Sequence, residues 1–181
     1  MASGQSHRPV RRLTEQAMGG AIRVDDGHVA ATATHDDGLP YIHLVDVDTG
    51  EDRQALPRPR ITLDRQPDGD TILVASDDRL RLFLWEPATG RERELPLPVE
   101  VSHRPIIDAD LAVGARSVDV VVGPEVWTVP ILGPGRTGPA TRAYAPPAHK
   151  SFWGNELGAD GQRYVLLGEE RGDLYRITLP R

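Results

Sequence analysis

Residues Ile61–Pro96 read "ITLDRQPDGDTILVASDDRLRLFLWEPATGRERELP". Three turn signals, "PDG", "SDD" and "PATG", divide this stretch into four short runs. Gly, Asp and Thr at such points supply positive φ values and side-chain-to-backbone hydrogen bonds, which tight reversals require. The runs between them are rich in β-formers, so the stretch predicts four antiparallel strands. "TILVA" and "LFLW" are apolar at successive positions, as a strand covered on both faces must be. "RERELP" is charged and suits an outer strand meeting water.

The same order recurs on either side. Runs such as "HVAATATH", "YIHLVDV", "RSVDVVVG", "EVWTVPIL", "RYVLLGEE" and "LYRITLP" are again short and bounded by turn residues. Aligning the run before each last turn brings Val45, Trp85, Trp127 and Tyr175 together, at spacings of 40, 42 and 48 residues. The first turns align at Gly27, Gly69, Gly114 and Gly161. No window sustains the i, i+3, i+4, i+7 apolar spacing of a helix. The chain is therefore read as all-β, with a period near forty residues and four strands per unit. Such a unit cannot cover its own faces, so the units must stack.

A period near forty with an aromatic-acidic pair before a Thr-Gly turn is the pattern of propeller blades. On these residues the chain resembles the WD-repeat β-propeller family. "LWEPATG" stands where the family favours Trp-Asp, "VDVDTG" holds that place in the first unit, and the third and fourth units are degenerate. The resemblance implies one propeller domain over residues 1–181, with blades at 21–57, 61–98, 105–146 and 152–181. Ser76 falls where the family often places a hydroxyl that bonds within the blade. The implied function is a non-catalytic scaffold that binds a protein or peptide partner through its rim and top-face loops. The alternative is a small-molecule binder or enzyme using a polar central channel.

The fourth unit ends at "LYRITLPR" without an outer strand, whereas "RPVRRLT", Arg8–Thr14, precedes the first inner strand and is charged and extended. Residues 1–20 are thus expected to hold a strand that completes the last blade, sparing it an unpaired edge. Four blades per chain leave three arrangements. They are a compact four-bladed monomer, an eight-bladed head-to-tail homodimer, which the family's wedge-shaped blades favour, and a half-ring completed by another chain.

Inner strands line a propeller's channel. Their polar residues, Arg23, Asp64, Arg65, Asp108, Asp110 and Glu156, are candidate ligand contacts, and the carboxylates among them could draw a cation. The plainer reading has them solvating the wall or pairing with the arginines. Trp153, opening the fourth inner strand, is a candidate partner contact or a cover for the junction between blades. His35 in "THDDG" reads as a turn residue and His43 as a strand residue, since their spacing matches no zinc pattern. No phosphate loop or nucleophile elbow is present, and no cofactor or metal is expected.

Bulk properties narrow the class. With 39% hydrophobic and 27% charged residues, the chain has the balance of a globular protein. A net charge of -6 argues against a general nucleic-acid binder. The absence of cysteine excludes disulfides and thiolate chemistry. No run approaches a membrane span, and the N-terminal residues lack the apolar core of a secretory signal, so a cytoplasmic location is expected.

Overall fold

The computed structural model describes residues 18–67 and 69–145, together with the backbone of three later strands, Ser151–Leu157, Arg163–Gly168 and Asp173–Ile177. The chain is all-β, and its strands form antiparallel sheets in sequence order. The first sheet contains β1 (Met18–Arg23), β2 (His28–Thr34), β3 (Pro40–Asp46) and β4 (Asp52–Gln54). The second contains β5 (Arg60–Arg65), β6 (Ile72–Ser76), β7 (Leu82–Glu86) and β8 (Arg91–Leu95).

The third sheet has five strands, β9 (Ile106–Leu111), β10 (Ser117–Val122), β11 (Glu125–Gly133), β12 (Arg136–Thr137) and β13 (Thr141–Tyr144). Both β12 and β13 pair with β11. A fourth sheet follows, β14 (Ser151–Leu157), β15 (Arg163–Gly168) and β16 (Asp173–Ile177). The strand expected at Arg8–Thr14 lies outside the described residues.

Alternation along the middle strands explains how the sheets stack. In β6, Leu73 and Ala75 pack toward the third sheet while Ile72 and Val74 pack toward the first. In β7, Leu82 and Leu84 face one way and Phe83 and Trp85 the other. Successive side chains of a strand point to opposite faces, so a strand apolar at every position serves two interfaces. Among the described residues, two seams carry the packing between neighbouring sheets. One joins Ile72, Val74, Phe83 and Trp85 to Ala30, Ile42 and Leu44. The other joins Leu73, Leu82, Leu84 and Leu95 to Ile106, Leu111, Val118 and Val120. The outer strands are wet: β4 is exposed throughout, as are Arg91, Arg93 and Glu94 of β8.

The repeat extends to individual turn bonds. Between β3 and β4, the Gly50 N–H donates to the Asp46 carbonyl and the Glu51 N–H to Thr49 Oγ1, at 2.9 and 3.2 Å. Between β7 and β8, Gly90 donates to the Glu86 carbonyl and Arg91 to Thr89 Oγ1 at the same two distances. Both glycines have positive φ, 77° and 70°, the region an L side chain avoids.

Two boundaries differ from the sequence reading. The first inner strand begins at Met18 rather than Ala21, with a bulge between Gly19 and Ile22. "LGPGRTGPA" does not merely link two strands: it forms the β11–β12 hairpin and leads to the added strand β13.

Candidate functional site at the mouth of the inner strands

The first strands of successive sheets adjoin one another, β1 beside β5, β5 beside β9 and β9 beside β14. Hydrogen bonds stitch them. The Thr62 N–H donates to Thr32 Oγ1 at 3.0 Å, the two threonine hydroxyls meet at 2.9 Å, and Thr62 Oγ1 donates to the Gly20 carbonyl at 2.5 Å. Farther along, Leu111 N–H donates to Asp64 Oδ2 at 2.8 Å.

Where β1, β5 and β9 begin, they line an open cavity of about 670 Å³. Its apolar lining includes Met18, Ile61, Leu63 and Ile107, and its polar lining Thr32, Thr34, Thr62, Arg79 and Asp108. That size and mixed lining are those of ligand pockets. A smaller cleft of about 330 Å³, beside Asp78 and His103, is lined by the second sheet and the segment that follows it.

Arg79 shapes the mouth. It sits in the turn between β6 and β7 with φ 57°, a conformation that costs an L residue about 1–2 kcal/mol. The turn is fixed by Asp78, whose carboxylate accepts from Ser76 Oγ at 2.5 Å and from the Leu80 N–H at 3.0 Å. These bonds, that of the hydroxyl foremost, hold the Asp78 carboxyl below its ordinary range. The Arg79 carbonyl accepts from Ile106 N–H at 2.8 Å, and its guanidinium donates to the Ile107 carbonyl at 2.9 Å. One strained residue thus clamps the start of β9 and places a cation at the cavity. Strain of this kind concentrates at functional sites.

Comparison with protein-family models and with curated proteins finds no match. Solved structures do resemble the chain. A puromycin hydrolase mutant complexed with PGG superposes with a TM-score of 0.53 at 16% identity, over 87% of this chain and 26% of that one. TolB from Acinetobacter baumannii gives 0.53 at 15% identity, over 82% and 42%. A dihydro-heme d1 dehydrogenase in complex with DHE gives 0.55 at 15% identity, over 92% and 37%. These neighbours are β-propellers. The fold is β-propeller-like. The chain spans less than half the length of each of these neighbours, and identities this low establish the fold alone.

In a propeller-like frame, the residues singled out from the sequence divide between two ends of the inner strands. Asp108 lines the cavity, and its Oδ1 accepts from the Ala109 N–H at 3.0 Å. Asp64 is committed to Leu111. Arg23 and Arg65 lie at the opposite ends of β1 and β5, where they bond the turn residues Asp26 and Asp70. Asp110 stands opposite Asp119 in the β9–β10 register. Trp153 and Glu156 fall on β14, and their side chains lie outside the described residues. Among the described residues, no three His, Asp or Glu side chains gather to hold a metal. No helix among them is long and apolar enough to cross a membrane.

Sequence reasoning missed Arg79, Thr32, Thr62 and Ile107. Only "SDDRL" carried a signal, since Arg79 occupies a turn position that glycine would fill more readily. Ser76 was legible: it is fully buried, and its bonds to Asp78 and to the Arg81 N–H keep it a structural residue of its blade.

Proposed function

We propose that the chain is a WD-repeat-like, four-bladed propeller that acts as a non-catalytic binding module. Its protein or peptide partner inserts a segment into the cavity at the mouth of the inner strands. The observation that carries this reading is the cavity of about 670 Å³, where three blades meet and the strained Arg79 sits among threonine hydroxyls and apolar side chains. Ile107, at 49% exposure, adds an apolar edge to which such a segment could anchor.

The ring is proposed to close within one chain, with Arg8–Thr14 pairing to β16. Support comes from the face of the first sheet that looks away from the second. Ala31, Ala33 and Val45 on that face are 3%, 1% and 3% exposed, although the described seams use the opposite face of β2 and β3. Burial at these three positions of the second face is what a ring closed on itself requires. It favours the four-bladed monomer over the head-to-tail dimer.

A random peptide library displayed on phage tests the binding reading. Peptides selected on the full chain should lose affinity at least tenfold when Ile107→Glu or Leu63→Glu places a carboxylate in the mouth. Selected peptides that bind these variants unchanged would refute the site. The cavity volume also lies in the range of small-molecule pockets. A small-molecule reading is favoured instead if sugars, amino acids or nucleotides raise the melting temperature of the full chain while the peptide library yields nothing.

A further inference from the structure

The hairpin of β2 and β3 carries a feature that the binding reading leaves unused. His35, just past the end of β2, and His43, on β3, project from the same face, the face of Ala31, Ala33 and Tyr41 by the alternation of the paired strands. The small Ala33 lies opposite Tyr41, and the His35 ring leans over Tyr41 with its centroid 4.4 Å away. The result is that His35 Nε2 and His43 Nε2 stand 2.7 Å apart. Two imidazole nitrogens at that distance share one hydrogen, with one ring donating and the other offering its lone pair.

The surroundings decide which ring offers it. His43 is buried, and its Nδ1 has no hydrogen-bond partner, lying 3.5 Å from Asp52 Oδ1. A proton on Nδ1 faces that carboxylate favourably, which leaves the His43 Nε2 lone pair directed at His35. A carboxylate beside the far nitrogen of a histidine, favouring the tautomer with its proton there, is the arrangement that frees the other nitrogen to ligate a metal.

We propose that His35 and His43 form a two-imidazole site for a zinc-like divalent cation. The hydrogen on His35 Nε2 relocates through water to that ring's Nδ1, so both imidazoles stay neutral and the cation takes the vacated place. It accepts a lone pair from each Nε2, and water fills its remaining positions. Zinc–nitrogen bonds of about 2.0–2.1 Å in tetrahedral array set two ligand nitrogens about 3.3 Å apart. The rings therefore separate by about half an ångström, a displacement that the half-buried, turn-borne His35 absorbs. Imidazole suits zinc, copper and nickel, whereas magnesium and calcium call for oxygen. The site is distinct from the mouth cavity, whose lining contains neither histidine.

The test is calorimetric titration of the full chain, freed of metal by chelation, with zinc chloride. One zinc ion per chain is expected, with affinity that falls on acidification because a ligating imidazole must shed its proton. His35→Gln keeps a hydrogen-bonding group but no second imidazole, and should weaken binding at least tenfold. Asp52→Asn should weaken it about tenfold through His43 alone, and His28→Gln, a histidine elsewhere on the surface, should leave it unchanged. In nitrogen-detected NMR, zinc should shift both Nε2 resonances. Failure to bind at millimolar zinc, or equal binding by the chain and His35→Gln, would overturn the proposal.

Discussion

Arg79 occupies in the second sheet the backbone position that Gly38 occupies in the first. Each donates its N–H to the residue three before it, Ser76 and His35 respectively, at 2.9 Å, and each has positive φ, 57° and 78°. Each follows an aspartate whose Oδ1 caps the next N–H, Asp78 to Leu80 and Asp37 to Leu39. The two loops are one turn, built once with the residue suited to it and once with an arginine that reaches β9.

That equivalence separates two effects at a single position. Arg79→Ala keeps the strained backbone and loses the guanidinium bond to the Ile107 carbonyl, and it should destabilise by about 1 kcal/mol. Arg79→Gly loses the same bond but relieves the strain, so it should exceed the alanine variant by about 1 kcal/mol. Urea denaturation of the three proteins checks the order, which reverses if the strain is absent.

Gly20 should tolerate no side chain. It has φ 59°, and a Cβ there would stand 2.8 Å from Thr62 Oγ1, the hydroxyl that bonds its own carbonyl. Gly20→Ala is expected to cost about 2 kcal/mol from backbone conformation and the displaced threonine. Gly19→Ala, whose Cβ would meet nothing within 4 Å, should cost less than half as much, and thermal melts of the pair decide the point.

Arg60 crosses the second sheet on the face toward the first. Its guanidinium lies 4.0 Å from the Phe83 ring centroid and forks onto Glu92, with the arginine side chain 5% and the glutamate 20% exposed. Glu92→Gln strands a buried cation and should cost about 3 kcal/mol. Adding Arg60→Met removes the stranded charge, and the double variant should recover more than half of that loss. Chemical denaturation of the two single variants and the double variant measures the coupling.

Acid should unfold the protein through its turn and blade carboxylates. Burial pushes the Glu125 carboxyl upward, but hydrogen bonds from Arg104, Arg142 and Trp127 outweigh it and leave the group below its ordinary value. Asp78 is lowered by Ser76 and Leu80. Asp25, Asp37 and Asp46 shift the same way, mainly through hydrogen bonds from His28, Leu39 and Thr49 respectively. A carboxylate with a depressed folded pKa adds stability that is complete above its unfolded value, and that stability is lost as pH falls through the folded one. Melting temperature should therefore hold down to about pH 5 and fall progressively below about pH 4. Asp78→Asn should start lower and fall less, as scanning calorimetry across that range would record.

The parts of this fold that were legible are those that local chemistry dictates. Asp46 with Gly50, and Glu86 with Gly90, announce their turns because only a few residues close so tight a reversal. The unbroken apolar run of Ile72–Ala75 announces a strand with two covered faces. Hidden from view were the features made by distant residues. Met18–Gly20 falls by sequence in the N-terminal closing segment because two glycines carry little β propensity, and the strand they open is held by Thr62, more than forty positions away. Asp64 and Asp108 look alike in sequence, yet one is spent on Leu111 and the other borders an open cavity. His35 and His43 read as a turn residue and a strand residue, because no spacing rule records that the small Ala33 leaves room for their rings to meet.

Closure of the ring is the claim on which the rest depends, and the absence of native cysteine makes it directly measurable. Arg11→Cys can be combined in turn with Leu174→Cys, Tyr175→Cys and Arg176→Cys, and each pair oxidised in the folded protein. Disulfides form only where Cα atoms lie within about 7 Å. A cross-link within one chain, at the mass of a monomer, is the expected result for at least one pair. Cross-links only between chains, or none at all, would contradict a propeller closed on itself by its own N-terminal strand.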